Sequence, residues 1–342
     1  MKLTVGIKAL NEERHIEASI QSALAAAAPF DGEVILADSG STDRTLEIAR
    51  KYPIRIVQLA NPSEKSCGAG AQLAFQHARG EYFYLLDGDM VLDPDFLPKA
   101  IARMEEKPAL AGIGGLVTEK NTESLGFKIR AEAVSKDANW RAGSVDRLDC
   151  GGLYRSAAIR EAGYFADRNL HAFEEFELAA RLRARGWELE RIDQHAVDHY
   201  GHLTGGYRLL WRRIQTGYSG AVGEVLRGAI GQQHLPVVMR RFSHVRFGLA
   251  VMVWWLSLLV ALLLPVQPLA KFCILLLLLV LPLGLLTWRR RSLSLGLYSA
   301  AAWNVAAWGL ISGFFRARAA PTMPLRSIVV ADPPMARSER ST

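Results

Sequence analysis

Short apolar runs alternate with stretches of helical spacing through the first quarter of the chain. Each run ends in a polar turn, and the stretch that follows carries apolar residues three and four apart. This alternation is typical of a parallel sheet covered by helices on both faces. The predicted strands are 3–10, 33–37, 54–59 and 82–86, and the predicted helices are 11–28, 42–52 and 69–78.

The same pattern continues with less regular spacing up to about residue 200. Together these elements predict an α/β domain over residues 1–205, with a mostly parallel sheet. The further elements are strands over 112–117, 150–155 and 188–197, a polar and mostly helical stretch over 119–148, and a charged helix over 173–185.

Three long apolar segments follow. The first, 247–264, carries no charge, and crossing a bilayer core takes about 20 apolar residues. The second, 272–288, contains Pro282 as an expected kink, and the short turn between the two predicts a hairpin. The third, 292–315, carries Asn304 and much alanine. We expect it to span as well, with a position in the membrane interface as the alternative.

The segment 206–245 joins these two parts and is amphipathic. Over 207–230, apolar residues near helical spacing are interleaved with Arg208 and Arg212, as in a helix that lies on a membrane surface. An ordinary packed amphipathic helix is the alternative. We expect a membrane domain with two or three transmembrane helices over 246–318, and a polar tail over 319–342.

The charge distribution supports a membrane partner. The chain is 50% hydrophobic and has a net charge of +7, which suits nucleic acid, anionic lipid or phosphorylated substrates. Arginines flank the apolar segments at 240–241, 246 and 289–291, and this placement favours a lipid surface. No zinc-finger spacing or aromatic-basic repeat occurs in the sequence, so no nucleic-acid partner is expected.

The arginine clusters also predict an orientation. Cytoplasmic loops are rich in Lys and Arg, so we expect a multi-pass protein of the plasma membrane with its α/β domain in the cytoplasm. If the third segment spans, Arg316, Arg318 and Arg326 lie outside, against this rule. The three cysteines form no CxxC pair, which favours a reducing compartment. The apolar stretch in residues 1–10 is too short for a signal peptide.

Polar turns follow three of the predicted strands: Asn11-Glu12, Asp38-Ser39-Gly40-Ser41 and Asp87-Gly88-Asp89. Ligands of parallel α/β sheets bind at the carboxyl ends of the strands, so we expect one shared site. Mg²⁺ and Mn²⁺ prefer such carboxylate oxygens. A lone Asp-x-Asp is usually a solvated turn, but the strand context and the other two turns favour a metal site.

Two later groups are further candidates. Glu174 and Glu175 open the charged helix, where acids are favoured by the helix dipole in any protein. The functional alternative is a general base for an acceptor hydroxyl. His195, His199 and His202 lie near the end of the last strand, where a histidine could complete a metal shell or meet a phosphate, although most such histidines are ordinary surface or core residues.

Taken together, these segments resemble glycosyltransferase family 2, a group of inverting enzymes with the GT-A fold. The resemblance implies a Rossmann-like, mostly parallel sheet with helices on both faces, here followed by C-terminal transmembrane helices. The matching segments are 5–13, 37–45, 78–81 with 86–89, and 174–178 with Arg181, Leu182 and Gly186.

The resemblance implies a role for each polar turn. Asp87 would lie by the ribose or diphosphate of a nucleotide-sugar, and Asp89 would bind Mg²⁺ or Mn²⁺. His199 falls where many members place a metal or phosphate contact. The nucleotide pocket would be lined by Ala9, Asn11, Glu12, Asp38, Gly40, Ser41 and Gly88.

The candidate base departs from the family pattern. Members commonly have Glu-Asp where this chain has Glu174-Glu175, and the second acid serves as the base. Glu175 is therefore the candidate base, with a side chain one methylene longer, and Glu174 stays open as the alternative.

The implied reaction is inverting transfer of one hexosyl-type sugar from a nucleotide-sugar to a membrane- or lipid-linked saccharide, in cell-envelope or exopolysaccharide synthesis. The Gln-x-x-Arg-Trp motif of processive synthases is not matched by residues 210–213. One alternative is a polyprenyl-phosphate glycosyltransferase, whose acceptor is already ionised. Another is a non-catalytic nucleotide-binding membrane scaffold, which the retained acids disfavour.

Overall fold

The computed structural model describes residues 1–120, 134, 137–201 and 206–333. Within these residues ten strands form one mixed sheet. The strands are β1 (Leu3–Ala9), β2 (Glu33–Asp38), β3 (Arg55–Leu59), β4 (Tyr82–Asp87), β5 (Met90–Leu92), β6 (Leu110–Glu119), β7 (Gly143–Ser144), β8 (Gly152–Arg155), β9 (Glu188–His199) and β10 (Ser327–Ala331).

The strands lie in the order β10-β3-β2-β1-β4-β8-β6-β9-β5, and β7 pairs with β9. The centre, β3-β2-β1-β4, is parallel, while β8, β5 and β10 run antiparallel to their neighbours. This confirms the α/β prediction and shows that the sheet is mixed. Ala9 lies opposite Asp38 and Lys8 opposite Asp87, so three strands end at one edge.

Helices cover both faces of the sheet and bury its apolar side chains in two clusters. Of the helical stretch predicted over 119–148, residues 121–133, 135 and 136 lie outside the described residues, and the described part over 137–148 contains a single 3-10 turn and strand β7 in place of an α-helix. The helices of this part of the chain are α1 (Ile16–Ala27), α2 (Thr45–Ala49), α3 (Cys67–Gln76), α4 (Phe96–Glu106), α5 (Ser156–Glu161) and α6 (Glu174–Ala184).

Two helices are shorter than their patterns predict. The helix predicted from Asn11 begins only at Ile16, because Asn11 has a φ of 59°, which a right-handed helix does not allow. The helix predicted over 42–52 is reduced to α2. In both places the backbone N–H groups bond to side chains of the neighbouring loop instead of continuing a helix.

The predicted amphipathic helix over 207–230 is two helices, α7 (Gly206–Gln215) and α8 (Ala221–Ala229). They are separated at Gly217, which has a φ of 79°. A short helix, α9 (Leu235–Arg241), follows. Tyr207 and Trp211 of α7 are exposed.

Three long apolar helices follow: α10 (Ser243–Leu263), α11 (Pro268–Arg290) and α12 (Leu293–Phe314). In the described part of the chain, α10 and α11 are long and apolar enough to cross a membrane, with mean hydropathies of 2.0 and 2.7. The third apolar segment, α12, is of similar length but is not one of these two candidates.

The end of the described chain returns to the sheet. Residues 327–331 belong to the stretch predicted as a polar tail, yet they form β10 and pair with β3. Their partner lies far away in sequence, so local pattern gave no signal for this strand. The rest of the predicted tail, 334–342, lies outside the described residues.

Candidate active site

Lys8 joins the ends of β1 and β4 to the start of α6. Its ammonium lies 3.1 Å from Asp87 Oδ1 and 2.5 Å from Glu174 Oε1. Burial alone would lower the pKa of Lys8, but the two carboxylates hold it well above its usual value. Lys8 therefore stays charged and neutralises part of the acidic edge. The sequence analysis missed it, although a lysine inside the apolar strand 3–9 is a signal.

The two predicted metal ligands lie together. Antiparallel pairing of β5 with β9 sets Met90 opposite His199, and His199 Nε2 is 3.5 Å from Asp89 Oδ2. Both side chains are buried. Asp89 and His199 thus place one oxygen and one nitrogen close together, and metal binding by this pair stays a prediction.

Glu119, at the end of β6, orients the histidine. Its Oε2 lies 2.8 Å from His199 Nδ1, which leaves Nε2 directed at Asp89. A carboxylate on the far nitrogen is the usual support of a metal-binding histidine. Burial opposes the charged imidazole, yet hydrogen bonds to Asp89 and Glu119 raise the pKa of His199 to about 10, so a cation bound at Nε2 would displace a proton. The sequence analysis did not single out Glu119.

The site has an excess of buried negative charge. Burial, with the charges of Asp89 and Asp87, raises the pKa of Glu12 to about 8. Burial also raises the pKa of Asp87, and the charges of Asp89 and Glu174 add to it. Arg212 of α7 acts on Glu12 in the opposite direction. A divalent cation would compensate this charge, so the donor set fits one.

A second group of side chains could also bind a metal ion. Donor atoms of Glu119, Cys150 and His199 lie within 4.8 Å of one another. The Cys150 thiol suits softer metals than Mg²⁺ or Mn²⁺, and Glu119 is already hydrogen-bonded to His199 through Nδ1. Asp89 with His199 is therefore the better pair for a hard cation.

Glu175 and Glu174 have different surroundings. Glu175 is half-buried and accepts hydrogen bonds from the backbone N–H groups of Cys150 and Gly151, each at 3.1 Å. Burial raises its pKa to about 8, and the charges of Asp149 and Glu174 contribute. Glu174 is more deeply buried and is paired with Lys8. Glu175 is thus the acid better able to accept a proton.

Asp38 shapes the loop after β2. Its buried carboxylate accepts hydrogen bonds from Gly40 N at 2.9 Å, Ser41 N at 3.0 Å and the Gln58 side chain at 2.9 Å. Gly40 has a φ of 96°, which favours glycine. The predicted contact of this loop with a nucleotide stays a prediction.

The first polar turn is bonded to the second. Asn11 Oδ1 accepts from Thr42 N at 2.8 Å, and Asn11 N donates to Ser41 Oγ at 2.9 Å. Ala9 ends β1 beside Asp38. The structure therefore brings these predicted residues to one edge and uses their polar groups to hold two loops together.

Gly88 and His195 are the remaining predicted residues that the structure describes, and His202 lies outside the described residues. A Cβ on Gly88 would lie 2.9 Å from Glu12 Cγ, so the glycine allows the Glu12 side chain to approach the acidic turn. His195 pairs instead with Asp198, 3.2 Å away, and takes no part in the contact between Asp89 and His199.

Comparison with known proteins identifies the class. Residues 4–162 match the family model for glycosyl transferase family 2. The fold matches that of mannosyltransferase PcManGT from Pyrobaculum calidifontis, solved in complex with GDP-Man and Mn²⁺. The TM-score is 0.58 at 18% identity, over 90% of this chain and 87% of that one. The fold is that of GT-A glycosyltransferases.

Two curated relatives extend the match. The chain is 34% identical over 197 residues to the putative glycosyltransferase EpsE of Bacillus subtilis, covering 54% of this chain and 68% of the relative. It is 32% identical over 219 residues to dodecaprenyl-phosphate galacturonate synthase of Rhizobium johnstonii, covering 60% and 61%. The chain spans about three fifths of the length of the first curated relatives. The chain belongs to glycosyltransferase family 2.

Proposed function

We propose that this protein is a metal-dependent, inverting glycosyltransferase anchored in the plasma membrane with its catalytic domain in the cytoplasm. It transfers one hexosyl-type sugar from a nucleotide-sugar to a lipid-linked saccharide in cell-envelope or exopolysaccharide synthesis. The observation that carries this proposal is the meeting of Asp87, Asp89, His199 and Glu175 at one edge of the sheet.

Residues at the ends of β4, β5 and β9 bind the nucleotide-sugar donor. Asp89 and His199 would hold Mg²⁺ or Mn²⁺, and Asp87 serves the ribose or diphosphate. A bound divalent cation supplies positive charge that stabilises the departing nucleoside diphosphate. Lys8 limits the repulsion between Asp87 and Glu174, because it contacts both carboxylates.

Glu175 acts on the acceptor. The acceptor hydroxyl transfers its proton to the Glu175 carboxylate while its oxygen attacks the anomeric carbon, and the bond to the diphosphate breaks on the opposite face. Inversion follows from this single displacement. A base is most effective when its pKa lies near the working pH, and the value of about 8 for Glu175 meets this condition.

A second candidate function is a polyprenyl-phosphate glycosyltransferase. It is favoured by the likeness to dodecaprenyl-phosphate galacturonate synthase and by the apolar helices α10 and α11. An acceptor phosphate is already ionised at neutral pH, so this reaction needs no general base. The two candidates therefore differ in what they require of Glu175.

The test uses the full chain, purified in detergent and supplied with Mn²⁺ and a panel of nucleotide-sugars. Stabilisation by a donor identifies the nucleotide and the sugar, and release of nucleoside diphosphate with a lipid acceptor reports transfer. We expect Asp89→Asn to abolish transfer. Full transfer by Asp89→Asn with metal present would contradict the metal assignment, and donor binding without turnover by the unmodified protein would favour a scaffold.

Two substitutions on one strand give a matched comparison. His199→Gln removes a proposed metal ligand, whereas His195→Gln changes a histidine that pairs with Asp198. We expect the first to lose activity and the second to keep it. Glu175→Gln separates the two candidate functions, since it should inactivate transfer to a hydroxyl and spare transfer to a polyprenyl phosphate.

A further inference from the structure

The chain enters its apolar segment from the surface of the catalytic domain. Phe242, directly before α10, stacks on Phe176 at a centroid distance of 4.6 Å and meets Phe173 edge-on at 5.0 Å. Val245 in the first turn of α10 is fully buried. The start of α10 is therefore held against the side of the domain that carries α6.

The chain also returns to the same domain after its apolar segment. Arg316 pairs with Glu224, and Arg318 pairs with Asp167 at 2.8 Å. Leu325 exchanges two backbone hydrogen bonds with the Gln76 side chain, at 2.8 and 2.9 Å. β10 then joins the catalytic sheet.

These two attachments limit the number of membrane crossings. A chain that leaves one side of a bilayer and returns to that side crosses an even number of times. Three apolar helices lie between Phe242 and Arg316, and a catalytic sheet cannot be divided between two sides of a membrane. With α10 and α11 as the two crossings, no crossing is left for α12.

We propose that α12 lies in the plane of the membrane surface, on the side of the catalytic domain, with the lipid bilayer as the partner of its outward face. This favours the alternative given for the third apolar segment, a position in the membrane interface, over the expectation that it spans. The inference goes beyond the proposed reaction, because it holds whichever sugar and acceptor the enzyme uses.

The contacts of α12 support this position along its length. Tyr298 near its start packs on Tyr207 of α7 at 5.5 Å. Near its end, a Cβ on Gly313 would collide with the carbonyl oxygen of Gly220 in the turn before α8. These two points on α12 are about 22 Å apart along the helix axis, and both rest on the amphipathic helices.

Contacts between the hairpin and α12 begin near the hairpin's catalytic-side ends and reach the middle of α10, where Trp255 Nε1 donates a hydrogen bond to Asn304 Oδ1 at 2.8 Å. Gly248, early in α10, packs against the Leu310 side chain of α12. Thr287, late in α11, packs against Gly296 of α12. Because α10 starts and α11 ends on the domain side, these contacts put both ends of α12 at that level. The helix thus runs across the base of the hairpin.

The outward residues are those that a membrane interface favours. Tryptophan and tyrosine concentrate at the level of lipid headgroups, and α12 contains no charged residue. Keeping α12 in the plane also leaves Arg316, Arg318 and Arg326 on the cytoplasmic side with the other arginine clusters, as the positive-inside rule requires. The exposed residues of this surface are Tyr207, Trp211, Trp288, Leu293, Leu297, Trp303, Trp308 and Phe315.

The topology is tested with epitope tags on the full chain in its membrane. Tags at the two ends should both be digested by protease in inside-out vesicles and both be protected in spheroplasts. A tag inserted in the turn at 264–267 should show the reverse. Digestion of the C-terminal tag in spheroplasts would overturn the proposal, and so would recovery of the protein in the soluble fraction.

Two glycine substitutions test whether α12 docks. Gly313→Leu would push α12 away from Gly220, whereas Gly284 of α11 has nothing within 4 Å of an added Cβ. We expect Gly313→Leu to lower the melting temperature in detergent by several degrees and to speed proteolysis at 216–220. Gly284→Leu should match the unmodified chain. Equal stability of the two variants would contradict the docking.

Discussion

At the scale of single residues, neighbouring acids of the site differ because their surroundings differ. Glu174 faces the Lys8 ammonium at 2.5 Å, so its negative charge is compensated within the protein. Glu175 accepts hydrogen bonds from two backbone N–H groups, and burial raises its pKa to about 8 although the charge of Lys8 acts in the opposite direction. This contrast favours Glu175 as the base, in agreement with the order expected from the family pattern.

The raised pKa of Glu175 predicts the pH dependence of transfer to a hydroxyl acceptor. Only the ionised carboxylate can accept the proton, and it becomes the major form above pH 8. The rate should therefore rise about tenfold per pH unit well below pH 8 and level off above it. The measurement is kcat/KM from pH 6 to 9 at saturating Mn²⁺. A flat profile would contradict a base of this pKa and favour an ionised phosphate acceptor.

Glu119 is predicted to act on metal binding through His199. Glu119→Ala removes the partner of Nδ1 and should weaken Mn²⁺ binding about 10- to 100-fold. Titration calorimetry of the full chain with Mn²⁺ measures this directly. Glu188→Ala is the control, because Glu188 lies on the same strand as His199 and is paired with Lys107 at the surface. An unchanged affinity in Glu119→Ala would show that the contact does not orient the ligand.

The residues predicted from sequence are those with local signals. Asp87 and Asp89 directly follow an apolar strand, and Glu175 opens a helix, so position within an element marked them. Lys8 and Glu119 work through partners 166 and 80 residues away. A lysine inside an apolar strand marks Lys8 as unusual, but partners at such distances along the chain are visible only in the folded arrangement.

At the scale of elements, tertiary bonds decide where helices begin. Apolar spacing alone extends the first helix back to Asn11, but the N–H groups of Asn11 and Glu12 donate to Ser41 and Thr45. Those bonds fix a turn between two loops of the site. The type and order of the elements followed from periodicity, whereas their ends at the site depended on contacts between distant loops.

The helix that carries Glu175 is fixed by a buried ion pair. The guanidinium of Arg181 donates to Glu177 at 2.7 and 2.9 Å, and both side chains are buried. Arg181 also donates to the carbonyl oxygens of residues 162, 164 and 165. Glu177→Ala leaves that charge uncompensated, which should cost about 3–5 kcal/mol of unfolding free energy.

The control for this prediction is an ion pair at the surface. Arg44 and Glu47 lie 3.2 Å apart, and both are well exposed, so Glu47→Ala should leave the stability unchanged. Denaturant titration in detergent compares the two variants. If Glu177→Ala were no less stable than Glu47→Ala, the buried pair would not be what fixes the start of α6.

At the scale of the whole molecule, the catalytic domain and the apolar helices are not successive units along the chain. The apolar helices leave the catalytic domain and the chain returns to complete its sheet with β10. Residues 318 and 319 also bond to the domain: Arg318 pairs with Asp167, and the Asn169 side chain donates to the carbonyl oxygen of Ala319 and accepts from its N–H group. Composition alone assigns residues 319–342 to a tail, and it does not show that β10 belongs to the catalytic sheet.

The return of the chain predicts that its last strand stabilises the catalytic domain. Ending the chain after Arg326 removes β10 and leaves the edge of β3 unpaired, and an open edge invites association with other strands. Gln58 on β3 also donates to Asp38, so the loop predicted to meet the nucleotide loses support. We expect a lower melting temperature, aggregation that grows with protein concentration, and weaker donor binding.

A chain ending after Pro333 keeps β10 and the pair between Arg55 and Asp332, so it should behave as the full chain does. Thermal melts and light scattering on both truncations measure these effects. Equal melting temperatures and equal aggregation would mean that β3 is stable as an edge strand and that β10 is dispensable. A difference between the two truncations would show that the catalytic domain needs residues 327–331, which follow the apolar helices, in order to fold stably.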